Sequence, residues 1–487
     1  MADHILVLDA GTTSTRAMLF DAHGTMHRVA QAELSQHYPR PGWVEHDAAE
    51  IWDKTLACMR EVAGEGPTVI AAIGITNQRE TVVAWDRQTG APCARAIVWQ
   101  DRRTADYCAQ LKQAGHEPDI QRRTGLLLDP YFSATKMRWL LDHDEAVRAA
   151  SQAGTLAFGT VESWLAFKLS GGRHVTDASN ASRTLLLELG GAHFDEGLCD
   201  LFGVPVASLP HIVDTQGELA VCTPDWLGRA IPICGMVGDQ QSATIGQGCL
   251  APGDTKATYG TGAFVLTNKG AKIPHSDHRL LSTVLYQSGD ERIYALEGSC
   301  FVAGSLIQYL RDTLGLIGSA AETDDLARSI DDSGEVVIVP ALAGLGAPHW
   351  NPDARGVIAG LSFASGRAQI ARAALEAMAH QTHDLATAFA DDGALWTSLR
   401  IDGGMSANDW MAQDLADILN LPVERPSFVE TTALGAAMCA ATGAGLYATL
   451  REAAAAMRGK ARTFAPAMDQ ETRARRLARY AKAIKAV

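Results

Sequence analysis

Residues 4–21, HILVLDAGTTSTRAMLFD, set two apolar, β-rich runs on either side of a small polar turn, which is the pattern of a hairpin. From 47 to 62 apolar positions recur at helical spacing, and Asp47 stands where a helix N-cap belongs. VIAAIGIT (69–76) is almost unbroken apolar and β-branched, as a strand covered on both faces must be. A second strand follows at 81–85. Helical spacing then prevails from 100 to 170, interrupted at Gly125 and Pro130.

IPICGMVGD (231–239) reads as another buried strand running into an acidic residue. Soon after, DTKATYGTGAFVLTN (254–268) again places two β-like runs around a Gly/Thr turn. The opening pattern thus restarts near the midpoint and predicts a duplicated fold, with units at 1–249 and 250–487. The second unit continues with a strand at 335–340, a long helix at 367–390, RIDGG at 400–404 and a further helix. This mixture predicts α/β layers with a mainly parallel sheet.

Length agrees with two units, since 487 residues exceed what one core ordinarily serves. No low-complexity tract or long Pro/Ser linker intervenes, so two domains would meet through a short hinge. The formal net charge of −14 is repelled by nucleic-acid phosphates and by anionic membrane surfaces, which argues against both as partners. Arg473, Arg475, Arg476, Arg479, Lys482 and Lys485 have the spacing of a solvated helix face. The nine cysteines are dispersed without a C-x-x-C pair and read as reduced, buried thiols. The opening Met-Ala-Asp-His enters a strand without a basic-then-apolar leader, and no uncharged run reaches the ~18 residues of a membrane span. The expected location is the cytoplasm.

Neither a P-loop nor a G-x-G-x-x-G turn is present. Phosphate would need another seat, and three turns offer one. Asp9-Ala10-Gly11-Thr12-Thr13-Ser14-Thr15-Arg16 combines a carboxylate, a bendable glycine, hydroxyls and a cation; its N–H groups suit an anion, and Asp9 suits Mg²⁺ through water. Thr258-Tyr259-Gly260-Thr261-Gly262 repeats the chemistry, and Asp402-Gly403-Gly404 follows a strand. Gly/Thr hairpins are also common structural turns, so the recurrence carries more weight than any one of them. Asp239 stands at the carboxyl end of a strand, where open α/β sheets bind ligands, and could take the proton of an attacking hydroxyl. It could equally cap the next helix. Arg79 and Glu80 offer a donor fork beside an acceptor, suited to neighbouring hydroxyls. Trp99, Tyr131 and Phe264 are either core or aromatic walls.

Long ordered runs carry a resemblance. They include DAGTTSTR (9–16), GITNQRET (74–81), VWQDRRT (98–104), DPYFSATKMRWLL (129–141), TDASNASRTLL (176–186), GDQQSATIGQ (238–247), YGTGAF (259–264), DGGMSAN (402–408) and ETTALGAA (430–437). On these the chain resembles the FGGY family of carbohydrate kinases over essentially its whole length. NQRET with WQDRRT and YFSATK matches the members acting on glycerol rather than on pentuloses or gluconate. The resemblance implies two actin-like, ribonuclease H-like α/β domains closing on ATP–Mg²⁺, with glycerol phosphorylated to sn-glycerol 3-phosphate. It implies that Arg79, Glu80, Tyr131, Asp239 and Gln240 bind the glycerol hydroxyls, with Trp99 and Phe264 flanking its carbons. Thr12, Thr13, Ser14, Arg16, Thr261 and Gly262 would meet the phosphates. Gly304, Gln308, Gly404 and Asn408 would hold the rest of the nucleotide. Asp9 would lie near the metal, Asp239 would be the base, and the chain would assemble as a dimer or tetramer.

One stretch departs from the family. Some members bind an inhibitory sugar bisphosphate through a Gly- and Lys-rich loop; VCTPDWLGRAIPI (221–233) has no glycine cluster and only Arg229 as a cation. Two other readings stand beside the main one. A family member for another polyol or ketose would share the phosphate turns without needing NQRET and YFSATK together. A non-kinase actin-like ATPase would have the turns without a polyol pocket.

Overall fold

The computed structural model describes residues 4–64, 69–351 and 353–487. The opening Met-Ala-Asp, on which the reading of the N-terminus partly rests, lies outside the described residues.

The first hairpin forms as expected. Strands β1 (His4–Ala10) and β2 (Ser14–Asp21) pair antiparallel, and β3 (Met26–Glu33) pairs antiparallel with β2. On the other flank, β4 (Ile70–Asn77) runs parallel to β1. After β5 (Gln216–Cys222), β6 (Ile231–Gly238) returns parallel to β4 and antiparallel to β5. The order is β3-β2-β1-β4-β6-β5. Asp47 does cap the helix Ala48–Ala63, accepting from the amides of Ala49 and Glu50.

The second half repeats this plan. Its strands are β7 (Thr255–Tyr259), β8 (Ala263–Gly270), β9 (Leu281–Ser288), β10 (Glu291–Cys300), β11 (Leu399–Asp402), β12 (Val423–Pro426) and β13 (Ala461–Phe464). They lie in the order β9-β10-β8-β7-β11-β12-β13. From β3 to β5 the pairings run antiparallel, antiparallel, parallel, parallel, antiparallel; from β10 to β13 the sequence is the same. β9 is an addition at the edge of the second sheet.

The expectation of a mainly parallel sheet is therefore wrong. In each six-strand pattern two pairings are parallel and the rest antiparallel. A turn as short as Gly11–Thr13 can join only antiparallel neighbours, and hairpins built on such turns occupy one flank of each sheet.

The connection between the halves is short, as expected, running from the helix that ends at Gly246 to the strand that starts at Thr255, but it is not their only link. Helix Thr431–Gly443 comes late in the chain yet packs on the first sheet, where Ala433, Ala436, Ala437 and Ala440 meet Ile5, Val7 and Ala72. Its small residues let the backbone come close. A Cβ on Gly74 would sit 2.6 Å from the Ala436 carbonyl oxygen, and one on Gly235 would sit 2.7 Å from the Ala440 nitrogen. The helix is thus pressed into the sheet at two glycines, and the halves share a packed interface as well as a connection.

The last helix, Gln470–Ile484, is not a uniformly solvated basic face. Arg476 is buried and grips Asp414 through both terminal nitrogens, with Glu376 3.7 Å away. A cation on an otherwise polar stripe turns inward here because two carboxylates lie beneath it.

Candidate active site

The first polar cluster grows from the loop after β4. Glu80 has a φ of 61°, a left-handed conformation unusual for a residue with a Cβ, and Ser133 Oγ and Lys136 Nζ hold it there by donating to its carbonyl. That reversal keeps Arg79 and Glu80 side by side and fully inside. The two terminal nitrogens of Arg79 reach Glu297 at 2.6 and 3.2 Å, and one donates to Gln241 Oε1. Its Nε is 3.2 Å from Asp239 Oδ1. Glu80 in turn accepts from Arg183 Nε at 2.6 Å.

Asp239 is the first residue of the helix Asp239–Gly246, with Gly238 as the N-cap. Its Oδ1 accepts from the Gln240 amide, so the capping reading contains some truth, yet the side chain remains 31% exposed along the cleft. Burial raises its pKa to about 6 against the opposing pull of Arg79. At neutral pH the group is thus mainly ionised, and more basic than an ordinary aspartate. Lys256 donates to Gln240 Oε1 and to Thr258 Oγ1, fixing the amide next to it. Trp99 stands edge-on to Tyr131 at 5.6 Å and to Phe264 at 6.4 Å, making an aromatic wall from both halves. Burial pushes the Tyr131 phenol far up, so it acts as a neutral hydroxyl.

The turn between β1 and β2 is tied by side chains of other segments. Gln78 donates to the Gly11 carbonyl and Gln36 to the Thr12 carbonyl, while His46 bridges the two amides. Burial lowers the His46 pKa to about 4, which leaves it neutral in this role. With the Gly11 and Thr12 carbonyls held by amides, the turn leaves Thr13 exposed, while the Thr12 hydroxyl accepts from Trp99 and that of Ser14 from Gln31. Asp9 and Arg16 are register partners across β1 and β2 and form an ion pair of 2.5 Å; the other end of Arg16 meets Glu430. Asp9 is nearly buried, and that burial raises its pKa despite Arg16.

In the second half, a cavity of about 860 Å³ is lined by Thr261, Gly304, Gln308, Gly404 and Asn408 among others. Gly403 is required behind it: φ is 85°, and a Cβ would lie 2.5 Å from the Tyr259 carbonyl oxygen. Asn408 caps the helix Asp409–Leu419 and donates to Thr323. Gly262 does not line this cavity; a Cβ there would strike the Cys300 carbonyl at 2.7 Å, so its place is one of packing.

Reading the residues alone missed Arg183, Glu297, Lys256 and Gln241, which are wholly buried around Arg79, Glu80 and Gln240. TDASNASRTLL contained Arg183 without marking it, and an isolated Glu297 inside a strand was the one visible oddity. Such a charge is almost never buried without a partner.

Family models for the FGGY family of carbohydrate kinases match this chain twice, the N-terminal domain at residues 4–246 and the C-terminal domain at 255–444. The chain belongs to the FGGY family of carbohydrate kinases, and its two-domain fold is the actin-like one of that family. It is 53% identical over 489 residues to a glycerol kinase of Cereibacter sphaeroides, covering 99% of both chains. It is 52% identical to a glycerol kinase of Methylobacterium nodulans, covering 99% of this chain and 97% of that one. Among solved structures it superposes on Plasmodium falciparum glycerol kinase with ADP, at TM-score 0.93 and 35% identity, covering 100% and 98% of the two chains. A gluconate kinase from Lactobacillus acidophilus, at 22% identity and TM-score 0.89, shares the fold over 100% and 98%.

Proposed function

We infer that this chain is an enzyme that transfers the γ-phosphoryl group of ATP to glycerol. Relatives named glycerol kinase match it over nearly its whole length at about half identity, and their fold is this fold. The observation that carries the reading is Asp239, a partly exposed, weakly acidic carboxylate beside Arg79 and Gln240, with Arg79 reaching on to Tyr131 of the aromatic wall.

The mechanism follows from those positions. Glycerol lies against Trp99 and Phe264, with its hydroxyls paired to Arg79 Nε, Glu80, Tyr131 and Gln240. Asp239 accepts the proton of the attacking terminal hydroxyl as the O–P bond forms, and ADP leaves with the β–γ bridging oxygen, giving sn-glycerol 3-phosphate. Thr12, Thr13, Ser14 and Arg16 bear on the phosphates from one unit, 1–249. Thr261 does so from the other, 250–487, with Gly262 packed behind it, while Gly304, Gln308, Gly404 and Asn408 hold the nucleoside end. Among the described residues no three His, Cys, Asp or Glu side chains gather as a cage. Asp9, nearly buried and only partly neutralised by Arg16, nevertheless fits a Mg²⁺ that keeps most of its water. When bound with ATP, that ion draws charge from the phosphate oxygens. The enzyme works as a homo-oligomer, a dimer or tetramer, in the cytoplasm; family resemblance supports this.

The test is ADP release from ATP–Mg²⁺ with glycerol, xylulose, erythritol or no acceptor. Turnover with glycerol well above the others is the expected result; acceptor-independent hydrolysis would overturn the assignment.

A further inference from the structure

Arg79 is close enough to Asp239 to close on it with its whole fork, and it does not. Its terminal nitrogens are turned to Glu297 at 2.6 and 3.2 Å, which leaves only Nε, at 3.2 Å, for Asp239. Glu297 belongs to β10 of the second sheet, 218 positions from Arg79 in the chain. The same carboxylate accepts from Arg183 Nη2 at 3.0 Å, and Arg183 Nε in turn holds Glu80 at 2.6 Å. Arg79, Glu80, Arg183 and Glu297 are all at most 3% exposed. The remaining nitrogen of Arg183 has no hydrogen-bond partner among the described residues, and its guanidinium lies over the rings of Tyr131 and Phe132.

Charge explains why this closed ring persists. Burial alone would protonate Glu297, but Arg183 and Arg79 overcome it and hold the pKa near 2. Burying a carboxylate with two arginines is costly unless every charge is paired. Around Asp239 the charged neighbours are Arg79, Glu80 and Lys256, with Glu297 acting on it through Arg79. Without Glu297, Arg79 would have one carboxylate in reach that is not already gripped, and that is Asp239.

We propose that Glu297 and Arg183 are a positioning pair: Glu297 keeps Arg79 from locking onto Asp239, and Arg183 sets Glu80 for the acceptor. The acceptor site is then incomplete without the second half, because Glu297, on a strand of the other sheet, aims Arg79 directly and Glu80 through Arg183. This inference rests on glycerol being the acceptor and Asp239 the base.

The experiment uses the full chain with Glu297→Gln, which keeps the shape and removes the charge. kcat/KM for glycerol is followed from pH 5 to 9, with KM for glycerol and for ATP measured separately. A fully engaged Arg79 favours the ionised form of Asp239, so the acidic limb should move down by about one pH unit. The glycerol KM should rise about tenfold, while the ATP KM stays within about twofold. A limb that stays in place or moves up, or two KM values that rise together, overturns the proposal. If Glu297→Gln fails to fold, Glu297→Asp keeps the charge but withdraws it by one methylene. The glycerol KM should then rise with the limb in place, and an unchanged KM overturns the proposal. A wild type inactive with glycerol sinks the assigned activity itself; an active wild type beside an unaltered Glu297→Gln sinks only this inference.

Discussion

Trp99 donates its indole N–H to the hydroxyl of Thr12 at 2.9 Å, so one hydrogen bond ties the aromatic wall proposed for the acceptor to the turn proposed for phosphate. Trp99→Phe keeps a ring against the carbon chain and removes only that tie. A net hydrogen bond is worth roughly 0.5–1.5 kcal/mol, which predicts a rise of about two- to tenfold in the ATP KM. Steady-state kinetics with each substrate varied in turn would show it. A change confined to glycerol would mean that Trp99 is a wall and nothing more.

Asp239 supports a sharper expectation. As a base it must be ionised, and burial sets its pKa at about 6, so kcat/KM for glycerol should fall as pH drops through 6. Asp239→Asn preserves the shape and removes the proton acceptor. Turnover should drop by roughly 10²–10⁴-fold with nucleotide affinity little altered. A variant keeping a tenth of wild-type turnover would reduce Asp239 to its hydrogen bond with the Gln240 amide.

How much of this could be read from the chain depends on how local each feature is. The hairpins around Gly11–Thr13 and Gly260–Thr261 announce themselves because the turn and both strands are contiguous. Asp239 was visible for the same reason, standing next to its strand and its helix. Strand direction beyond the hairpins was not visible, since it depends on where a distant segment returns; β6 reaches β4 only after more than a hundred intervening residues. Arg183 and Glu297 share this difficulty, with partners 103 and 218 positions away. Helical spacing on the last helix suggested solvent for Arg476, because spacing reports one face and says nothing of carboxylates contributed by other helices.

Arg476 gives a stability test. It is paired bidentately with buried Asp414 beside Glu376, whose pKa burial raises. Arg476→Met strands those carboxylates, and removing one partner of a buried pair costs roughly 3–5 kcal/mol. An unpaired buried carboxyl has a folded-state pKa above its unfolded value, so the native state holds the extra proton and the cost grows as pH rises. The fall in Tm should therefore be larger at pH 8 than at pH 5. Adding Asp414→Leu should recover much of the loss. Equal Tm losses at both pH values would point to lost packing instead of stranded charge.

The last expectation concerns which acceptors are admitted. In the proposed acceptor site Arg79 and Glu80 are buried and Tyr131 and Gln240 partly so, beside the ring contacts of Trp99 with Tyr131 and Phe264. A site built to pair a hydroxyl rejects an analogue lacking it, because its own buried groups go unsatisfied. Propane-1,3-diol keeps both terminal hydroxyls of glycerol and lacks the central one. Its kcat/KM should lie below that of glycerol by about two orders of magnitude. Arg79→Ala should narrow that gap, since it removes one of the groups left unpaired, while the ATP KM holds nearly steady. Five-carbon sugars face a different barrier, the length cap set by the two rings, so Phe264→Ala should improve xylulose more than glycerol. Comparable kcat/KM for glycerol and xylulose in the wild type would sink the glycerol assignment and leave the kinase fold standing.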